Sequence, residues 1–406
     1  MAGLLRRFAF LVSVVALAAP AAHADGSSSP TSLERRLARA LVVPHVAPAR
    51  SAAVALDLTT GTVLFAQNGS RSLAPASNEK LPLTYAALVR LGPSFRFTTD
   101  VLGQGTQAGT TWDGSLVLKG YGDPTLNRAG LKTLALQVRS AGIRRVTGEV
   151  IGDESAYDGR RTVAGWKPSF YIGESAPLSA LVVDRARVGR FTTRNPALTA
   201  ATAFRTALRG VGISVAGTVR LGRAPDWLDR IASVSSPALW SILRFMDRES
   251  DNFTAEMVLK QLGLVELERG TSADGASVVM QALSEAGVPM AGVRIVDGSG
   301  LSRLDRLTTN ALGGLLKVAW DDPVVRPALL AELAVAGVNG TLRRRLRQPP
   351  ARRRVLAKTG TTREASALSG YVADRYAFAV IQNGNPLPYW WARRAQDRFA
   401  TVLASQ

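Results

Sequence analysis

Ser77-Asn78-Glu79-Lys80 is the stretch on which the reading of this chain turns. The spacing of three sets Ser77 and Lys80 one turn apart on a common helical face. The pattern predicts a helix from Ser77 to Leu91, with Leu81, Ala87 and Leu88 on its buried side. A serine at a helix N-terminus sits where backbone N–H groups and the helix dipole favour a developing oxyanion. A lysine beside it can take the hydroxyl proton once burial and a second cation lower its pKa. Ser-x-x-Lys occurs nowhere else in the chain.

Two further short patterns also occur once each, in order after it. Ser250-Asp251-Asn252 precedes the apolar stretch Phe253 to Leu264. Read locally it is a helix cap; read chemically, Ser250 relays a proton to a leaving amine and Asn252 holds a substrate amide. Lys358-Thr359-Gly360-Thr361 ends a predicted strand, where Gly360 lets another backbone approach and Lys358 offers a positive charge to a carboxylate. Singly each pattern is common; together, once each and in this order, they are not.

Composition narrows the alternatives. The chain has 406 residues, no cysteine and two histidines, His23 and His45. That excludes cysteine nucleophiles, cysteine zinc sites and multi-histidine metal sites. A Ser-His-Asp triad would rest on His45, which lies in the connector Val43-Pro44-His45-Val46-Ala47-Pro48. Lys and Arg number 50 against 31 Asp and Glu, a net charge of +19. Only seven of the cations are lysines, and two of those fall in the motifs. Arginine cannot act as a base and lysine can.

At the start, Arg6 and Arg7 precede an apolar run from Phe8 to Ala19, and Ala22-His23-Ala24 supplies a small-x-small cleavage pattern. Residues 1–24 therefore read as a signal peptide, too short to span a membrane as an anchor. The expected location is exported: periplasm, cell wall or extracellular space, without a transmembrane anchor in the mature chain. Export argues against nucleic acid as the partner of the basic surface and towards anionic wall polymers. Arg343 to Arg354, with seven arginines around Pro349-Pro350, reads as an exposed loop.

Strands are expected over 51–56, 63–66, 354–360, 367–372 and 376–382, and a terminal helix over 390–405. Strands at both ends with helices between them imply one α/β domain whose sheet joins the two ends of the chain. Between about Thr99 and Arg187 short strands and Gly/Asp turns suggest an inserted domain, whereas residues 196–335 look mainly helical. The expected organisation is a catalytic domain over 25–98 and 188–406 interrupted by an insert over 99–187.

The three motifs resemble those of penicillin-binding proteins and class A β-lactamases. With further segments, the chain is similar to the low-molecular-mass penicillin-binding proteins of the D-alanyl-D-alanine carboxypeptidase/endopeptidase type, peptidase family S13. Those segments are Gly122-Asp123-Pro124-Thr125-Leu126, Gly152-Asp153-Glu154-Ser155, Asp297-Gly298-Ser299-Gly300-Leu301-Ser302-Arg303 and Asn339-Gly340-Thr341-Leu342. The resemblance runs from about Ser51 to Gln382.

It implies a serine β-lactamase/transpeptidase-like sandwich, an antiparallel sheet flanked by helices, with one inserted, mostly β domain. It implies Ser77 as the acylated nucleophile, Lys80 as its proton acceptor and Ser250 and Asn252 on the opposite wall. Lys358 would bind the terminal carboxylate with Thr359 and Thr361 nearby, Gly360 between them. The backbone N–H groups of Ser77 and Thr361 would form the oxyanion hole. Asp153 would approach a diamino-acid side chain. Peptidoglycan stem peptides would be substrates and β-lactam antibiotics covalent inhibitors, and no metal or organic cofactor is implied.

Two departures stand out. The 173 residues from Ser77 to Ser250 leave room for one insertion, where many relatives carry a second. Pro82 falls just after Lys80, where an interior helical proline would cost about 3 kcal/mol. A β-lactamase is the alternative enzyme, although no Glu-x-x-Leu-Asn run lies between the first two motifs. A catalytically silent peptidoglycan-binding protein is the alternative outside enzymes.

Overall fold

The structure, a computed structural model, describes residues 31–406. The signal peptide expected over residues 1–24 lies outside the described residues. The chain opens on helix α1 (Ser32–Leu41), strands β1 (Ser51–Asp57) and β2 (Val63–Gln67), and helix α2 (Lys80–Arg90). A second unit follows: β3 (Thr98–Ala108), β4 (Thr111–Gly120), α3 (Arg128–Ser140), β5 (Arg145–Val146) and β6 (Val150–Asp153). It continues through a small hairpin, β7 (Arg187–Val188) and β8 (Phe191–Thr192), to α4 (Pro196–Gly210), β9 (Ser214–Val215), β10 (Val219–Leu221) and β11 (Asp229–Ser235). The chain then returns through α5 (Leu239–Glu249), α6 (Asn252–Leu267), α7 (Ser272–Glu285), α8 (Thr309–Asp321), α9 (Val325–Glu332) and β12 (Ala334–Val335). It closes with β13 (Val355–Thr361), β14 (Ala365–Val372), β15 (Tyr376–Asn383) and α10 (Tyr389–Ala404).

The main sheet is antiparallel, in the order β12-β13-β14-β15-β1-β2. In β1, Ala52, Val54 and Leu56 face one core while Ala53 and Ala55 face another. That period of two is how a strand buried on both faces serves two layers. The first core packs the sheet against α2, α5, α6, α7 and α8 through Leu81, Leu243, Leu259, Val279 and Leu315. The second packs it against α1 and α10 through Leu37, Phe399 and Leu403. The result is the helix-flanked sandwich.

The second unit has its own sheet, ordered β10-β6-β4-β3-β11, with β5 beside β4 and β9 beside β5. Helices α3 and α4 bury Leu134, Val138, Phe204 and Leu208 against one face. The insert does not end at residue 187. Strand β11 pairs antiparallel with β3, setting Ser235 opposite Thr98, so entry and exit lie side by side. The short β9 and β10 also belong to this sheet. Strands of two and three residues are too short to show alternation, which is why the stretch after 196 reads as helical.

Candidate active site

The helix at the first motif starts later than its pattern suggests. Ala76–Glu79 form a 3-10 turn and the α-helix begins at Lys80. Pro82 thus falls in the first helical turn, where no intrahelical partner awaits an N–H, and its ring costs little. The turn itself is held from two sides by glycines. Gly300 has φ +79° and a Cβ on it would lie 1.9 Å from Ala76 O. A Cβ on Gly360 would lie 2.9 Å from Pro75 O and 3.1 Å from Ser77 N. Both positions let another main chain press against the serine.

Lys80 is fully buried. Its Nζ donates to Ser77 Oγ at 3.2 Å, Asn252 Oδ1 at 2.9 Å and Ser299 O at 2.7 Å. Burial pulls its pKa below the usual lysine value, against the pull of Asp297, Asp247 and Glu256. Lys358, on β13, is also fully buried, and its Nζ donates to Ser250 Oγ at 2.8 Å and Thr359 O at 3.0 Å. Burial and then the Lys80 charge bring its pKa down to about 7. Each cation meets one serine, and the two serines face one cleft of about 470 Å³. Asn252, Thr359 and Thr361 line the same cleft.

Local structure explains the second motif. Ser250 ends α5 in the left-handed region with φ 59°, and Asp251 caps α6 by accepting Thr254 N–H at 2.8 Å. Asp251 also pairs with Arg185. The cap and the chemistry therefore fall to different residues: Asp251 caps, leaving Ser250 and Asn252 for the cleft.

Several contributors went unread in the sequence. Asn78 joins the serine turn to the sheet, donating to Lys358 O at 2.9 Å and accepting from Ser369 Oγ at 2.6 Å. The Asp297 carboxylate accepts N–H groups of Ser299, Gly300 and Ser302 at 3.1, 2.6 and 2.7 Å, shaping the loop behind Ser77. Glu256 accepts Gly298 and Ser299 N–H at 3.1 and 2.9 Å, and so aims the Ser299 carbonyl at Lys80. Burial and the Asp297 charge push Glu256 up to about 8. Burial raises Asp247 to about 6. Glu79 is also raised well above its usual value, by burial and by Asp297. A glutamate held largely neutral at pH 7 does little to keep Lys80 charged. One signal was present: Glu256 and Lys260 are the charged residues of the otherwise uncharged run Phe253 to Leu264.

A strap from the second unit crosses the site. Trp166 Nε1 donates to Asp297 Oδ2 at 2.8 Å, and Ser302 Oγ donates to Ala164 O at 2.8 Å. Lys167 pairs with Glu364 at 3.1 Å, while Asn252 Nδ2 donates to Glu174 O at 3.1 Å. The strap is thus tied to both walls, and Glu174 lines the cleft.

Asp153 is not brought to the cleft. It is fully buried, and its carboxylate accepts Ser155 N–H and Ala224 N–H, each at 2.8 Å. It shapes a turn at the end of β6, pairs with Lys119 at 3.9 Å, and is absent from the cleft lining. His45 lies exposed in its connector. Among the described residues no group of His, Cys, Asp and Glu could hold a metal ion, and no helix is long and apolar enough to cross a membrane.

Known proteins resemble this chain in sequence and in fold. The model of the D-Ala-D-Ala carboxypeptidase 3 (S13) family matches residues 33–193 and 189–405. The D-alanyl-D-alanine carboxypeptidase of Actinomadura sp. (strain R39) is 32% identical, the match covering 98% of this chain and 90% of that protein. Carboxypeptidase DacB of Mycolicibacterium smegmatis is 34% identical over 93% of this chain and 86% of its own. In three dimensions the chain is similar to penicillin binding protein 4 from Haemophilus influenzae, with a TM-score of 0.82 and 22% identity over 92% of this chain and 99% of that one.

Proposed function

Because the chain belongs to the D-Ala-D-Ala carboxypeptidase 3 (S13) family, we propose that it is a serine-type D-Ala-D-Ala carboxypeptidase and/or endopeptidase acting on peptidoglycan stem peptides through an acyl-enzyme on Ser77. The observation that carries this is the fully buried Lys80 amine at 3.2 Å from Ser77 Oγ, facing the Lys358–Ser250 pair at 2.8 Å across one cleft. Neutral Lys80 takes the Ser77 proton as Oγ attacks the carbonyl carbon of the penultimate residue. The oxyanion develops against the backbone N–H groups of Ser77 and Thr361. Ser250 relays the proton to the leaving amine as the C–N bond breaks, and Lys358 with Thr359 and Thr361 holds the terminal carboxylate. Water then attacks the ester, returning the proton to Ser77. β-Lactams enter as covalent inhibitors, because opening the four-membered ring leaves the leaving amine tethered in the cleft. The +19 charge and the leader pattern support an exported protein with anionic wall polymers as a second partner.

The test is intact-mass analysis of residues 25–406 mixed with benzylpenicillin, followed by peptide mapping. A stable adduct on Ser77, absent in Ser77→Ala, is expected. An adduct that persists in Ser77→Ala would remove Ser77 as the nucleophile. Rapid drug hydrolysis with no adduct would favour a β-lactamase, and intact drug with folded protein a silent binding protein.

A further inference from the structure

A groove of about 850 Å³ lies outside the catalytic cleft. Helices α1 and α10 and the loop after Leu342 enclose it. Seven arginines line it: Arg36 and Arg39 from α1, Arg344 and Arg345 from the loop, and Arg393, Arg394 and Arg398 from α10. Asp397 is the one acidic residue in the lining, and Arg345 already occupies it at 2.7 Å. Among the described residues the other six arginines form no ion pair with a carboxylate. The Arg393 Nε is buried without a hydrogen-bond partner.

The groove is continuous with the catalytic cleft, since Arg344, Arg345 and Arg393 line both. Arg393 also donates to Thr361 Oγ at 3.3 Å. Arg344 leads on to a further hollow of about 510 Å³ with Arg343, Arg347 and Arg352. Six like charges converging without counter-charge repel one another, and an anion that enters relieves all of them. The guanidinium fork fits phosphate oxygens two at a time.

We propose that this groove binds a linear, phosphodiester-linked chain of polyols or sugars and leads it past the catalytic cleft. The proposal rests on the reading of the chain as a wall enzyme and gives its basic charge a defined seat. Three features favour a strand over a lipid surface. The site is concave, whereas a bilayer meets a flat or convex face. It runs on, through the shared Arg344, into the neighbouring hollow lined by Arg343, Arg347 and Arg352. Trp390, 56% exposed, lines it with the Arg394 guanidinium 5.4 Å from its ring centroid, an apolar surface beside the cations against which the C–H side of a sugar or polyol can lie. A strand held there raises the local concentration of attached stem peptides at Ser77.

The test uses the mature chain and fluorescent poly(glycerol phosphate), read by anisotropy across a salt series. The variants are R39E/R394E/R398E, which leave the cleft-lining arginines alone, and a charge-matched control on the second unit, R145E/R187E/R223E. The groove variant is expected to bind about 10-fold or more weaker, with a salt slope smaller by about 2, near 0.7 per lost phosphate contact. The control is expected to lose less than about threefold, since a distant charge is screened beyond roughly 10 Å. Benzylpenicillin acylation of Ser77 should be unchanged in both, which reports the cleft separately: failure to acylate in the parent protein sinks the enzyme reading and leaves the groove measurement standing. Equal losses in both variants, or tighter binding to phosphatidylglycerol vesicles than to the polymer, would overturn the proposal.

Discussion

Lys80 and Lys358 share one chemistry problem at opposite ends of a cleft. Lys80 must be neutral to take a proton, whereas Lys358 must be charged to hold a carboxylate. Each charge disfavours the other, and burial disfavours both. With Lys358 brought down to about 7, kcat/KM for a D-Ala-D-Ala-terminated peptide should fall on the alkaline side as that proton is lost. Lys358→Arg keeps its charge at every pH and should abolish the alkaline limb, whatever its effect on the plateau. An unchanged limb would mean that another group titrates there. Lys358→Ala should cost about 2 kcal/mol of transition-state binding, roughly 30-fold in kcat/KM. Lys80→Arg, which keeps a charge but cannot accept the proton, should slow acylation by about 100-fold or more, read by stopped-flow labelling.

Elements place these residues, and they differ in how openly the sequence declares them. The motifs, the strands of the main sheet and the terminal helix are legible because each repeats a short local rule: a spacing of three, an alternation of two, an apolar stripe. Asp297 is not legible as a loop organiser, since its work is to gather N–H groups that no side-chain pattern encodes. Asn78 is equally silent, because its partners Lys358 and Ser369 are 280 and 291 residues away. The expected end of the insert failed for a related reason: β11 is a partner for β3 only once the chain has come back. The glycine clamp on the serine turn gives a prediction at this scale. Gly300→Ala combines a left-handed φ with a Cβ 1.9 Å from Ala76 O. The turn must move, and acylation should fall by at least 10-fold while far-UV dichroism stays native. Normal acylation would show that the turn tolerates displacement.

The whole molecule carries an unusual set of carboxyls buried behind the site. Glu79, Asp247, Glu256, Asp305 and Glu332 all have raised pKa values, burial being the first cause in each. A carboxyl with a raised folded-state pKa binds its proton more tightly when folded. The stability it contributes is present below the unfolded value of 4.5 and is lost as pH climbs towards the folded one, about 8 for Glu256. The lysines act in a higher window, from about 7 for Lys358 upward. The lowered carboxyls, such as Asp251, act in a lower one, below the ordinary value of 3.8. Between pH 5 and 7 the buried acids dominate, so Tm should fall as pH rises across that interval. Glu256→Gln should flatten the slope, and a Tm that instead rises would contradict the protonated carboxyls.

The pairing of β1 with β15 sets Ser51 opposite Gln382. The centre of the main sheet is therefore made from the two ends of the polypeptide, with some three hundred residues between them. Long-range pairing of this kind makes folding slow, because a wide loop must close before the contacts reward it. A growing chain cannot build that centre until its last strands have left the ribosome. Until then β1 has only β2 beside it, and its other edge stays open and available to chaperones. The same strand order that assembles Ser77 and Lys358 thus postpones their meeting until β13, β14 and β15 have been made.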